Sequence, residues 1–173
     1  NDLINKNNFF INNFFDNNDI ILSGKNLNKA FWNNSDITKY LLSEDINMNI
    51  NFISNNKTIR KYLVLQQRIL AKKRNIVCEG RDIGTVVFPN ADYKFFLSAS
   101  LESRIDRRYV EVKYKNHKIN KDEIKNNLIK RNKNDIEREN SPLLKADDAI
   151  EIDTTNISIN EQVLIIYNKI KQG

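Results

Sequence analysis

Apolar and polar positions from residue 57 onward predict helices and strands in alternation. Ile59, Leu63 and Leu70 are spaced as one face of a helix, and Ser100 stands where an N-cap would open another. The predicted elements, in order, are a helix over 57–73, strands at 76–78 and 93–97, helices over 101–114 and 121–139, a strand at 149–153 and a helix over 159–171. This order predicts an α/β fold with a largely parallel sheet.

The first 56 residues have a different pattern. Asn is dense there, and the apolar residues come in short bursts at 9–11, 14–15 and 20–22, the last followed by a turn signal at 23–26. We expect a small subdomain of short strands and helical turns over 1–56, followed by a larger domain over 57–173.

Composition changes this picture little. The 173 residues suit one compact domain with a small appended part. The chain contains 29 Asn, beside abundant Ile and Lys, residue types that share A/T-rich codons, so we attribute the excess to genome base composition. The net charge of +6 is interpreted as a solvated surface, because Lys is scattered and no aromatic residues interleave with it as a nucleic-acid binder requires.

The single cysteine excludes an intramolecular disulfide, and its apolar neighbours Ile76 and Val77 predict a buried, inert thiol. No apolar stretch is long enough for a membrane span, and no secretory signal pattern is present in the sequence. We therefore expect a cytoplasmic protein with no membrane or nucleic-acid partner.

A polar loop after the strand at 76–78 is the first candidate for chemistry. Gly80 and Gly84 let the backbone approach a ligand closely, and ligands of parallel α/β folds gather at the carboxyl ends of strands. Arg81 offers a planar fork for phosphate, and Asp82 accepts hydrogen bonds. An Arg–Asp pair that merely closes a turn explains the loop equally well.

The helix over 121–139 carries the second candidate. Arg131, Asp135 and Arg138 are spaced to project from one face, which is also the pattern of exposed ion pairs. Seven of the nine Arg lie between residues 74 and 138, and clustered guanidinium groups near a glycine-containing loop indicate phosphate. His117 has no nucleophile or metal ligand beside it, Asp147-Asp148 is as well explained by capping as by Mg²⁺, and we assign no metal ligand.

Taken in order, these segments resemble the bacterial cytidylate kinase family, which phosphorylates CMP and dCMP from ATP. Eleven consecutive residues, EGRDIGTVVFP at 79–89, make the resemblance specific. The other matching stretches are Ile59-Arg60, Gln67-Arg68, 94–100, Arg104 with Arg107-Arg108, Arg131-x-x-x-Asp135-x-x-Arg138, 141–143, 146–149 and 152–155.

The resemblance implies a P-loop nucleoside monophosphate kinase fold: a parallel sheet, an inserted subdomain that binds the monophosphate, and a helical lid. Residues 1–56 would be most of the insert, 57–173 the core, and about 104–140 the lid. It also implies ATP as the phosphoryl donor, Mg²⁺ as its partner, CMP or dCMP as the acceptor, and a monomer.

The same resemblance assigns roles to individual residues. Arg60 and Asp82 would contact the cytosine, Arg81 and Arg138 the CMP phosphate, and Arg131 with Asp135 the ribose hydroxyls. Arg107 would lie near the ATP phosphates. Phosphoryl transfer depends on positioning and charge neutralisation, so the catalytic assignments are Arg81, Arg131 and Arg138.

The sequence departs from the family at two points. Asn51 stands where the family has a Ser that contacts the base, which leaves the preference among CMP, dCMP and UMP open. The family's first fifty to sixty residues, with the phosphate loop that holds ATP and Mg²⁺, have no counterpart, since the only Gly-Lys is Gly24-Lys25. We expect a fragment of a longer enzyme, inactive alone. The alternatives are a degenerate, non-catalytic nucleotide-binding protein and, with less support, a basic nucleic-acid binder.

Overall fold

The computed structural model describes residues 20–23, 29–41, 43, 56–72, 75–113 and 120–172. The chain forms two compact units, residues 1–72 and 73–173. The helix after residue 57, which composition groups with the larger domain, therefore falls in the first unit. The functional division into a CMP-binding insert over 1–56 and a kinase core over 57–173 stays a prediction. Among the described residues, no helix is both long enough and apolar enough to span a membrane.

The described part of residues 1–56 contains short antiparallel strands and one 3₁₀ turn, Thr38–Tyr40, as the sequence predicts. The strands are β1 (Ile20–Ser23), β2 (Lys29–Trp32) and β3 (Ser35–Asp36), paired in that order with Ile21 opposite Phe31. Asn33 and Asn34 connect β2 to β3 with φ of 46° and 66°, the left-handed values that a two-residue hairpin turn needs and that Asn tolerates. This agrees with the predicted strand at 20–22, whereas the bursts at 9–11 and 14–15 and the turn at 24–26 lie outside the described residues.

Helix α1 (Lys57–Ala71) completes the first unit. It begins where the sequence predicts, because the Asn56 side chain accepts hydrogen bonds from the backbone N–H groups of Thr58 and Ile59, both at 3.0 Å. Capping by Asn satisfies two donors that the first helical turn leaves open.

The second unit contains the parallel strand pair. Its elements are β4 (Phe95–Ser98), α2 (Leu101–Lys113), α3 (Lys121–Glu137), β5 (Ile150–Asp153) and α4 (Ile159–Gln172). Strands β4 and β5 pair in parallel, with Phe95 opposite Ile150 and Ser98 opposite Asp153. Their helical connection is the crossover that a parallel pair requires, which confirms the predicted α/β class.

Capping side chains fix the starts of the three helices. Ser100 Oγ accepts from Ser103 N at 3.1 Å to begin α2, as predicted. Asn120 accepts from Asp122 N and Glu123 N to begin α3. Helix α4 begins with a reciprocal capping box, in which Ser158 N donates to the Glu161 carboxylate at 2.7 Å and Ser158 Oγ accepts from Glu161 N at 3.3 Å.

The buried apolar side chains described in the second unit lie on four elements. They are Val87, Ile105, Ile124 and Ile152. Val87 closes a single π-helical turn, Ile83–Val87, a rare conformation that often accompanies functional sites. The turn directly follows Arg81-Asp82, so the buried Val87 anchors the end of the polar loop.

The prediction of a strand at 76–78 is wrong. Residues 75–79 have no regular secondary structure, Val77 is fully exposed, and Cys78 is exposed rather than buried. An apolar run becomes a buried strand only where a neighbouring strand supplies hydrogen bonds and a face to pack on, and in the second unit's described residues β4 and β5 pair only with each other. Partial burial still raises the pKa of the Cys78 thiol above its ordinary value.

Candidate functional site

The end of α3 fixes the most deeply placed arginine of the site. Arg138 caps the helix, donating its N–H to Asn134 O at 3.1 Å, and its Nε donates to Ser141 O at 2.5 Å. Ser141 has a left-handed φ of 54°, and Leu143 N then donates to Asp135 O at 2.7 Å. The chain after α3 thus folds back on the helix end and holds Arg138 there, with only 9% of its side chain exposed.

Five charged residues of the second unit converge beside this helix end. They form what we call the Arg–Asp cluster: Arg81, Asp82, Arg131, Asp135 and Arg138. Arg81 Nε lies 3.1 Å and Arg131 Nε 4.0 Å from Asp135 Oδ2. Arg138 faces both carboxylates, with Nη1 3.8 Å from Asp135 Oδ1 and Nη2 4.0 Å from Asp82 Oδ1. The polar loop and the α3 face, two separate features of the sequence, therefore form one site.

The cluster carries more positive than negative charge. Asp82 and Asp135 are buried, at 7% and 9% exposure, and burial of a carboxylate is tolerable only with opposite charge beside it. Three guanidinium groups against two carboxylates leave a net positive charge, which suits an anion such as phosphate.

One oxygen of the cluster retains accepting capacity. Asp135 Oδ2 is buried and accepts no hydrogen bond from the residues that the structure describes, although Arg81 and Arg131 lie within ion-pair distance of it. A buried acceptor in this state is costly unless a donor reaches it. The nearest charged group among the residues described is Arg81 Nε, 3.1 Å away.

The backbone of the polar loop is held by the π-helical turn. Val86 N and Val87 N both donate to the Asp82 carbonyl, at 2.9 and 3.2 Å. A Cβ on Gly80 would stand 2.8 Å from Ile83 Cγ1, so the approach to the turn leaves no room for a side chain at that position. Packing within the loop thus accounts for Gly80, and the close approach of a ligand to this backbone stays a prediction.

Arg107 lies in a different setting from the other predicted arginines. From α2 its Nη1 donates to Thr154 Oγ1 at 3.1 Å and its Nη2 to the Thr154 carbonyl, while Thr154 Oγ1 donates to Ser98 O at 2.9 Å. This places Arg107 at the carboxyl ends of β4 and β5. Its predicted place near the ATP phosphates stays a prediction.

The strand ends contain one titrating group with a clear shift. Asp153 Oδ1 accepts from Thr155 Oγ1 and Thr155 N, at 2.5 and 2.8 Å. These two hydrogen bonds stabilise the carboxylate and lower the pKa of Asp153 below its ordinary value.

Two predicted site residues belong to the first unit, whereas the cluster belongs to the second. Arg60 lies half-buried on α1, in the first unit, and its contact with cytosine stays a prediction. Asn51 lies outside the described residues, as does His117. Spacing alone did not single out Ser141, which the sequence analysis names only within the matching stretch 141–143; its carbonyl accepts from Arg138 Nε.

The described residues do not fit a Mg²⁺ site. Both carboxylates of the cluster face guanidinium groups, and among the residues that the structure describes no three acidic, histidine or cysteine side chains group to hold a metal ion. Mg²⁺ requires carboxylate or phosphate oxygens with open coordination, and no such group of ligands is found among the described residues.

A parallel strand pair beside an arginine-rich cluster defines an α/β protein suited to a small phosphorylated ligand. The family model for cytidylate kinase matches residues 3–172. The chain belongs to the cytidylate kinase family, which confirms the predicted P-loop nucleoside monophosphate kinase fold class.

Curated relatives agree with this assignment. The chain is 41% identical over 144 residues to the cytidylate kinase of Halalkalibacterium halodurans, covering 83% of this chain and 65% of that protein. It is 41% identical over 140 residues to that of Bacillus cereus strain B4264, covering 81% and 62%. The Bacillus subtilis strain 168 enzyme is 39% identical over 152 residues, covering 88% and 68%. The chain thus spans about two-thirds of the length of these relatives.

Proposed function

We propose that this chain binds CMP or dCMP through the Arg–Asp cluster, as the acceptor-binding part of a kinase that transfers the γ-phosphoryl group of ATP. The observation that carries the proposal is the meeting of Arg81, Arg138 and Arg131 around two buried carboxylates. This chemistry suits a nucleoside monophosphate, which presents an anionic phosphate and donating hydroxyls together.

The roles follow from position and charge. Arg138, buried and fixed by Ser141, and Arg81, 40% exposed, bind the phosphate from two sides. Asp135 accepts from a ribose hydroxyl at its unsatisfied Oδ2, beside the exposed Arg131. Asp82 supplies the acceptor for the cytosine amino group. During transfer the same arginines stabilise charge that develops on the phosphoryl oxygens.

Phosphoryl transfer also needs a site for ATP. The 173 residues contain no Gly-x-x-x-x-Gly-Lys-Ser/Thr pattern, whose backbone N–H groups and lysine hold the donor phosphates. We therefore propose that these residues alone bind CMP without phosphorylating it. We place the protein in the cytoplasm, as a monomer without nucleic-acid or membrane partners.

Calorimetric titration tests the binding proposal. CMP should bind about tenfold or more tightly than cytidine, because charge-assisted hydrogen bonds to phosphate each contribute about 1.5 kcal/mol or more. Asp135→Asn should lower the affinity for CMP about tenfold and reduce the preference for CMP over its 2′,3′-dideoxy analogue, since the neutral amide oxygen accepts from the ribose more weakly than the carboxylate does.

Asp106→Asn is the matched control, because Asp106 is an exposed acid of the same unit paired only with Lys121 among the ion pairs described. It should bind CMP as the original chain does. Equal affinity for CMP and cytidine would refute the phosphate site. Formation of CDP from ATP, Mg²⁺ and CMP at an enzyme's ordinary rate would refute the proposal that these residues are insufficient for transfer.

A further inference from the structure

Lys94 is a buried lysine outside the Arg–Asp cluster. Only 8% of its side chain is exposed. Its Nζ donates to the Pro89 carbonyl at 2.5 Å and lies 2.8 and 2.7 Å from the two carboxylate oxygens of Asp148. Burial of an ammonium group is costly unless its donors are used, and here three acceptors surround it.

The stem of Lys94 packs against the π-helical turn. A Cβ on Gly84, within that turn, would stand 3.3 Å from Lys94 Cδ and 3.6 Å from Cγ. The absence of a side chain at Gly84 is what lets the lysine stem lie on the turn's backbone. Nζ donates to the Pro89 carbonyl just after the turn, so Lys94 contacts both the turn and the chain that leaves it.

The same turn fixes the backbone of Asp82. Within the turn, the backbone N–H groups of Val86 and Val87 donate to the Asp82 carbonyl. Thr85 Oγ1 lies 3.4 Å from the same carbonyl. A displacement of the turn would therefore move Asp82 relative to Arg138, whose Nη2 is 4.0 Å away.

The other end of the link is the start of β5. Asp148 lies in the turn before the strand, where Ala149 N donates to Ala146 O at 2.9 Å. Ile150 N donates to the Lys94 carbonyl, also at 2.9 Å. Backbone and side chain of Lys94 thus both join β5, and the ion pair lowers the pKa of Asp148 below its ordinary value.

We propose that Lys94 is a positioning residue for base recognition: it holds the π-helical turn against β5 and so places Asp82. The proposal rests on the proposed function, in which Asp82 contacts the cytosine. Lys94 itself touches no substrate. It acts through Gly84 and the Asp82 carbonyl.

The test compares nucleotide selectivity in Lys94→Met with that in the original chain. Met keeps the apolar stem and removes all three polar contacts. The preference for CMP over UMP is measured as the dissociation constant of UMP divided by that of CMP. We expect this ratio to fall about tenfold in Lys94→Met, because a misplaced Asp82 no longer pairs with the amino group that cytosine has and uracil lacks. A purely structural role would lower the melting temperature and leave this ratio unchanged.

Two further variants separate the alternatives. Asp148→Asn keeps the shape and removes the ionic partner, and should lower the ratio in the same direction by less. Lys145→Met is the matched control, since Lys145 pairs with Glu151 at 2.9 Å with both side chains well exposed, and it should leave the ratio unchanged. An unchanged ratio in a folded Lys94→Met protein overturns the proposal.

Amide hydrogen exchange gives a readout that needs no nucleotide. In Lys94→Met the amides of Val86 and Val87 should exchange about tenfold faster or more, while that of Arg104, which donates to Ser100 O in α2, should not change. If the original chain binds no CMP, the proposed function is wrong. The exchange rates then still test whether Lys94 holds the turn in place. Equal rates in variant and original chain would show that Lys94 does not hold it.

Discussion

Two groups of polar side chains in the second unit use arginine in opposite ways. In the Arg–Asp cluster, charges face each other at 3.1 to 4.0 Å, and Asp135 Oδ2 accepts no hydrogen bond from the described residues. At the strand ends, Arg107 donates to a neutral hydroxyl and a neutral carbonyl of Thr154.

The strand-end network, by which we mean Ser98, Arg107, Asp153, Thr154 and Thr155, is joined by hydrogen bonds among its own members. Thr154 Oγ1 both accepts from Arg107 and donates to Ser98 O, and Asp153 accepts twice from Thr155. Hydrogen bonds satisfied within the protein stabilise the fold and offer a ligand little. The comparison teaches that the two groups differ in the partners of their arginines, which are buried carboxylates in the Arg–Asp cluster and a neutral hydroxyl and carbonyl at the strand ends.

Removal of Arg138 should have the largest effect, because it leaves Asp82 and Asp135 buried with less opposing charge. We expect Arg138→Met to lower the free energy of unfolding by about 3 kcal/mol and to weaken CMP binding by about a hundredfold. Chemical denaturation and calorimetry measure the two effects.

Two variants control this experiment. Arg138→Lys keeps the charge without the planar fork, so it should recover most of the stability and little of the affinity. Lys121→Met breaks an exposed ion pair between α3 and Asp106 of α2 and should change the unfolding free energy by less than about 1 kcal/mol. If Arg138→Met bound CMP normally, the cluster would be structural, like the strand-end network.

The converse experiment removes one hydroxyl from the strand ends. Thr154 is buried, and Thr154→Val deletes the bonds of Oγ1 to Ser98 and Arg107 while keeping its shape. We expect a loss of about 1 to 2 kcal/mol in the unfolding free energy, with CMP affinity unchanged within about twofold. A large loss of affinity without loss of stability would assign a ligand to this region.

The sequence predicts the cluster well because its two halves have separate local signals. The i, i+4, i+7 spacing of Arg131, Asp135 and Arg138 is a property of any helix, and the structure confirms that helix. The glycines around Arg81 mark its loop. Residue spacing cannot predict that the loop contacts the helix, because that contact depends on the fold. The family resemblance does predict that the two act at one site.

Long-range contacts account for the errors and omissions. The apolar run at Ile76 and Val77 has the composition of a strand, yet strands exist only through their neighbours, and the described structure gives it none. Spacing does not mark Lys94, which the sequence analysis includes only within the matching stretch 94–100, because its contacts are with Gly84 and Asp148, 10 and 54 positions away. Helix boundaries depend on capping residues that are adjacent in the sequence, such as Asn56. The predicted helix boundaries are therefore close to the observed ones.

The smallest expected effect concerns Asp153 and its dependence on pH. Its pKa is lowered from the ordinary 3.8, first by the hydrogen bond from the Thr155 side chain and then by that from the Thr155 backbone. Since the folded value lies below the unfolded one, the stabilisation is fully present above the ordinary pKa and is lost as pH falls through the lowered value. Asp153→Asn should therefore be less stable than the original chain at pH 7 and approach it in acid.

Salt distinguishes this hydrogen-bonded acid from an ion-paired one on the same strand. The pKa of Glu151 is lowered chiefly by its exposed pair with Lys145, an attraction that added salt screens. Raising the salt concentration should shrink the stability difference between Glu151→Gln and the original chain at pH 7, and should leave that of Asp153→Asn nearly unchanged. Equal salt sensitivity of the two variants would mean that Asp153 is stabilised by charge rather than by its hydrogen bonds with Thr155. The strand ends would then be held by ion pairing, as the Arg–Asp cluster is, and the contrast between the two groups would be lost.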